Sequence, residues 1–142
     1  MEEVIFEQDI PTLCLAAASF PGGVSAAHQT LHDRLPTKDG RQFFGISHAD
    51  QFGQIVYFAA ATEIFEGEAE QLDFDQFTIK KGVYNSIFLK DYYRDIPAVG
   101  AAFQRLLAGP EVDPYGYCLE IYPNSADHPN GRDVRCLVLT TK

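Results

Sequence analysis

Along the chain, stretches whose apolar residues follow the short period of a strand alternate with two stretches that follow the period of a helix, in the same order in both halves. In the first half, β-branched and aromatic residues mark strands near 4–8, 12–19, 41–48 and 54–62, separated by Pro, Gly and Asp. A helix over about 24–35 lies between the second and third of these. It is entered after Pro21-Gly22-Gly23 and closed by Pro36, with Val24, Ala27, Leu31 and Leu35 at helical spacing. The second half predicts strands near 75–80, 83–90, 115–122 and 133–141. Its helix starts near Ile96-Pro97, where proline suits a first turn, and stops at Gly109-Pro110. Val99, Ala102, Phe103, Leu106 and Leu107 form its apolar stripe.

The halves also match residue by residue. Val24-Ser25-Ala26-Ala27-His28-Gln29-Thr30-Leu31 agrees with Val99-Gly100-Ala101-Ala102-Phe103-Gln104-Arg105-Leu106, 75 positions later, at five of eight residues. The same spacing lays Gln42-Phe43-Phe44-Gly45-Ile46-Ser47 on Tyr117-Cys118-Leu119-Glu120-Ile121-Tyr122. A spacing of 71 pairs Phe6 with Phe77 and Leu13 with Tyr84, and one of 79 pairs Ile55 with Val134, as four-residue loop insertions would produce. The expected fold is α+β: duplicated strand-strand-helix-strand-strand units forming one antiparallel sheet, with two helices on one face and a cleft along the pseudo-twofold. One domain is expected over 1–142, with repeat 1 at about 1–62, an acidic linker at 63–75 and repeat 2 at about 75–142. The linker holds six carboxylates and no basic residue, which reads as a solvated connection. No EF-hand spacing supports calcium there.

Composition narrows the function. With 142 residues, 46% of them apolar, the chain can bury a core without disulfides or metals. The longest apolar run, 55–61, is far shorter than the roughly 20 residues of a membrane-spanning helix. Met1-Glu2-Glu3 is acidic where a secretory signal is basic, so a cytoplasmic location is expected. Eleven basic against 20 acidic side chains give a net charge of −9, which repels phosphate backbones and argues against direct nucleic-acid binding. Cys14, Cys118 and Cys136 are odd in number and widely spaced, as buried, reduced thiols would be. No cofactor motif is present, and His28 and His32, one helical turn apart, read as a solvated helix face rather than a metal pair. His48 and His128 fall in loops without a partner by spacing.

Glu120 is the candidate centre. Strand alternation puts Cys118, Glu120 and Tyr122 on one face and Leu119 and Ile121 on the other. If the apolar pair packs beneath the helices, Glu120 points into the cleft. Its repeat partner is Gly45, which leaves room beside the carboxylate. Phe43, Tyr57, Tyr84, Phe88 and Tyr122 are candidate ring neighbours, and ring faces attract positive charge. A carboxylate among such rings suits a cation or a polar organic ligand.

The repeated strand-helix-strand units, Gly82-Val83-Tyr84 opening a strand, and Leu119-Glu120-Ile121-Tyr122-Pro123 before a last hairpin resemble the GyrI-like small-molecule-binding domain. That domain is also the effector-binding part of AraC-type and MerR-type multidrug-responsive regulators. The resemblance spans essentially the whole chain and implies binding of organic, often cationic, ligands between the repeats, with Glu120 at the position of the family's glutamate. It also implies an alternative, because some branches hydrolyse strained or electrophilic compounds with that glutamate and an aromatic hydroxyl, here Tyr84 or Tyr122. Two departures bear on ligand identity: the chain has no tryptophan, common in the second helix, and Lys90-Asp91 stands where His or Lys followed by glycine is usual. No DNA-binding domain is expected on this chain. A third possibility is an acidic protein-interaction module that engages a basic partner.

Overall fold

The computed structural model describes residues 1–123 and 132–142, so His128 lies outside the described residues. The strands are β1 (Glu2–Phe6), β2 (Ile10–Ala16), β3 (Phe43–Ala49), β4 (Ile55–Thr62), β5 (Asp75–Ile79), β6 (Gly82–Leu89), β7 (Cys118–Ile121) and β8 (Val134–Leu139). Helix α1 (Val24–Arg34) lies between β2 and β3, the short α2 (Glu68–Gln71) between β4 and β5, and α3 (Pro97–Leu107) between β6 and β7. A 3-10 helix, Tyr92–Arg94, precedes α3. The ends follow from local chemistry. Leu35, just before Pro36, is extended and stops α1, whereas Pro97 sits in the first turn of α3, where its missing N–H costs nothing.

All eight strands form one antiparallel sheet in the order β1-β6-β8-β7-β3-β4-β2-β5, which is symmetric about the central β7·β3 pair. At that centre Gly45 lies directly opposite Glu120. Helix α1 packs over β2 and β4, and α3 over β6 and β8, so the central strands run between the two helices. Ala27, Leu31 and Leu35 of the α1 region, Ala69 of α2, and Ala102 and Leu106 of α3 share one core with Phe43, Ala59, Ala61, Tyr122 and Cys136 of the sheet. Val99 and Phe103 pack against it half-buried, but Leu107, expected on the buried stripe of α3, is 53% exposed. No helix among the described residues is long and apolar enough to cross a membrane.

The face away from the helices is buried as well, because the sheet curls. Phe77 on the edge strand β5 meets Tyr117, next to β7, at 5.0 Å between ring centroids. Four strand spacings separate β5 from β7, which a flat sheet would spread over about 19 Å. The curl encloses a second core of Cys14, Phe44, Ile46, Ala60, Ile79, Tyr84, Leu119, Leu137 and Leu139. Leu119 and Ile121 join this core rather than packing beneath the helices. The alternation in β7 is as expected but the faces are exchanged, and Glu120 lies on the helix side. With an apolar core on each face of the sheet, the pattern of one strand does not say which face meets the helices.

The acidic segment 63–75 is more than a solvated connection. Its Glu68 is buried against Arg41, whose two terminal nitrogens reach the two carboxylate oxygens at 2.8 and 2.7 Å. Arg41 also donates to the carbonyls of Thr37 and Thr62. The guanidinium fork satisfies four acceptors at once and fixes α2 against the start of β3.

Candidate functional site

Glu120 is 9% exposed and sits at the centre of the β7·β3 pair. Its Oε1 accepts a hydrogen bond from the Tyr57 hydroxyl at 2.7 Å and a short one from the Tyr122 hydroxyl. Tyr57 reaches it from β4 because the positions between are small: Gly45 faces Glu120 on one side and Ala59 on the other. A β-carbon at position 45 would collide with the Tyr57 hydroxyl and with Glu120 Oε1. The room predicted beside the carboxylate therefore exists, but the phenol of Tyr57 fills it.

His28 of α1 completes the cluster. Its Nε2 lies 2.8 Å from the Tyr57 hydroxyl. Its ring stands edge-on to Tyr57 and Tyr122, with centroids 5.7 and 5.2 Å away. Tyr92, from the 3-10 helix, packs at 5.8 Å from Tyr122, and the half-exposed Phe20 stacks on Tyr57 at 5.9 Å. Cys118 and Cys136 border the carboxylate from β7 and β8, and all three cysteines are free thiols.

The electrostatics of these groups share one cause. Burial pushes the Glu120 carboxyl above its usual range, against the opposing pull of the two tyrosine hydroxyls. Burial and then the charge of Glu120 push Tyr57 and Tyr122 well above the usual phenol value, Tyr92 up to about 12, and Cys118 and Cys136 up to about 11 and 12. Burial, with His32 next to it, lowers His28 to about 4, so its imidazole is neutral at pH 7. Among the described residues the ion pairs are Arg41–Glu68, Arg135–Glu2, Lys142–Glu3 and Lys142–Glu111, and none involves Glu120. Among the described residues the carboxyl group is thus enclosed by neutral hydroxyls, thiols and rings, with no ion-paired cation.

Of the residues singled out by sequence, Glu120, Tyr57, Tyr122, Gly45 and Cys118 come together, and Phe43 lies on the same face with its ring stacked on His32 at 4.3 Å. Tyr84 and Phe88 do not join them. Both lie on the opposite face of β6, Tyr84 donating to the Lys80 carbonyl inside the second core and Phe88 42% exposed beneath the Arg135 guanidinium. His28 and His32 are not on a solvated face: both are buried under α1, beside Ala27 and Leu31. The apolar stripe of a helix is wide enough to take in positions 28 and 32 next to 27 and 31, which was the available signal. Tyr92 gave none, since its place depends on the turn before α3. No group of three or more possible metal ligands gathers among the described residues.

No protein-family model matches the chain, and no curated protein matches it in sequence. Solved structures share its fold at low identity. An integron cassette protein from Vibrio cholerae superposes with a TM-score of 0.68 at 11% identity, covering 98% of this chain and 94% of that one. SAV2435 bound to tetraphenylphosphonium gives a TM-score of 0.66 at 11% identity, covering 99% and 94%. A hydrolase from Listeria innocua gives a TM-score of 0.59 at 10% identity, covering 99% and 91%.

Proposed function

We propose that this chain binds small aromatic organic cations at Glu120, as a ligand-binding module of the GyrI-like, effector-binding type. The observation that carries the reading is the enclosed Glu120 carboxyl, hydrogen-bonded by Tyr57 and Tyr122 and ringed by His28 and Tyr92, with no cation among the described residues paired to it. A ligand's positive charge supplies the missing counter-charge, and its apolar body rests against the rings. The neighbour bound to tetraphenylphosphonium supports this choice of ligand class, and the symmetric strand order supports reading the halves as duplicated units of one domain.

The test is calorimetry with tetraphenylphosphonium and with neutral triphenylphosphine oxide, on the wild type and on Glu120→Gln. The substitution keeps shape and removes charge. Cation binding is expected to weaken by about 1.5 to 3 kcal/mol, the worth of a hydrogen bond to a charged group, and neutral-ligand binding to change little. Equal cation affinities in the two proteins would remove Glu120 from the reading.

A second reading is favoured by one feature, the two phenolic hydroxyls on a single carboxyl oxygen. A hydrolase of electrophilic compounds could use Glu120 to activate water and Tyr122 or Tyr57 to stabilise developing negative charge. Tyr84 has no part in it, being on the other face of the sheet. Hydrated product in an incubation with a simple epoxide would favour this reading, and recovery of unmodified ligand the first.

A further inference from the structure

Tyr57 has one hydroxyl proton and two partners at ordinary hydrogen-bond distance, Glu120 Oε1 at 2.7 Å and His28 Nε2 at 2.8 Å, while the Tyr122 hydroxyl lies farther off at 3.4 Å. Two arrangements satisfy both contacts. In the first, His28 Nε2–H donates to the Tyr57 oxygen and Tyr57 donates to a charged Glu120. In the second, Glu120 is protonated and donates to Tyr57, Tyr57 donates to a bare Nε2, and the imidazole proton sits on Nδ1. That nitrogen is buried and has no hydrogen-bond partner among the described residues. A buried N–H with no acceptor is among the rarest defects in folded proteins, so the second arrangement is penalised. The Tyr122 hydroxyl also donates to Oε1, a contact that an ionised carboxylate oxygen accepts more strongly than a protonated one.

Building on the cation-binding reading, we propose that His28 is a positioning residue for charge selectivity. It holds its proton on Nε2, aims the Tyr57 hydroxyl at Glu120 and keeps the carboxyl group in its charge-bearing form. The other groups facing Glu120 do not compete for this role. Tyr57 from β4, Tyr122 after β7, Cys118 from β7, Cys136 from β8 and Tyr92 from the 3-10 helix are all harder to ionise than usual, and His28 from α1, like His32 one turn on, is neutral at pH 7. A neutral imidazole carries one proton, and the placement of that proton decides the direction of the whole chain.

Long-range proton–nitrogen NMR of the wild type at pH 7 reads the tautomer directly. The Nε2–H form is expected, and the Nδ1–H form would overturn the proposal. His28→Phe keeps a ring and removes the donor. It is expected to weaken tetraphenylphosphonium binding about tenfold and to raise the titration midpoint of Glu120, followed by its carboxyl carbon shift. His28→Gln, whose amide can donate in place of Nε2, is expected to restore most of the affinity. In a Tyr57→Phe background His28→Phe should have no further effect, and equal losses in both backgrounds would show that the histidine only packs. If the wild type does not bind tetraphenylphosphonium, the binding reading falls and the selectivity role with it. Binding with the imidazole proton on Nδ1 sinks the role of His28 alone.

Discussion

A β-carbon at position 45 would occupy the space that the Tyr57 hydroxyl and Glu120 Oε1 share, on a strand buried on both faces. Gly45→Ala is therefore expected to destabilise the protein by about 1 to 3 kcal/mol, the usual cost of overpacking, in urea unfolding. Wild-type stability in that variant would show that Tyr57 can leave its place freely. The sequence aligned Gly45 with Glu120 at the 75-residue spacing and so offered room beside the carboxylate, and the structure sets the two opposite each other across β3 and β7. The use of that room was not legible, since the ring that fills the gap comes from β4, a different strand, and reaches over Ala59 to do so. His28 was visible in the sequence but assigned to a solvated helix face, because two histidines one turn apart without a third ligand rarely make a metal site.

At the scale of elements, α1 and α3 and all eight strands stand close to where periodicity and Pro/Gly punctuation put them. Helix α2 does not announce itself. Four residues of an acidic stretch form it, and Arg41, 27 positions upstream of Glu68, pins it in place. Arg41→Met removes one partner of this enclosed pair and strands Glu68 together with the Thr37 and Thr62 carbonyls. Breaking a buried, fully hydrogen-bonded pair from one side costs about 3 to 5 kcal/mol, so a loss of that size is expected in thermal or urea unfolding. Wild-type stability in the Arg41→Met protein would mean that α2 is held by its apolar contacts, Ala69 and Phe74, alone.

For the whole molecule, the halves exchange edge strands. β1 of the first half pairs with β6, and β5 of the second half pairs with β2. Neither half keeps its own first strand, and each core is built from both halves. Separately produced fragments 1–66 and 67–142 are thus expected to lack cooperative thermal unfolding when alone, because each loses an edge strand and exposes core residues such as Leu13 or Leu137. A sharp transition in either isolated fragment would contradict this. By itself the sequence determined the eight strands, α1 and α3 in their order, and the one antiparallel sheet with those two helices on one face, and it offered Glu120 as the candidate carboxyl group. These depend on period, on turn chemistry and on internal similarity, all local or repeated along the chain. Only the tertiary structure decided which face of β7 meets the helices, that Tyr57 and His28 close around Glu120, and that Tyr84 and Phe88 stay away from it. Those outcomes depend on the curl of the sheet, which gives both faces a core, and on the crossing of side chains between strands far apart in sequence, which no local pattern encodes.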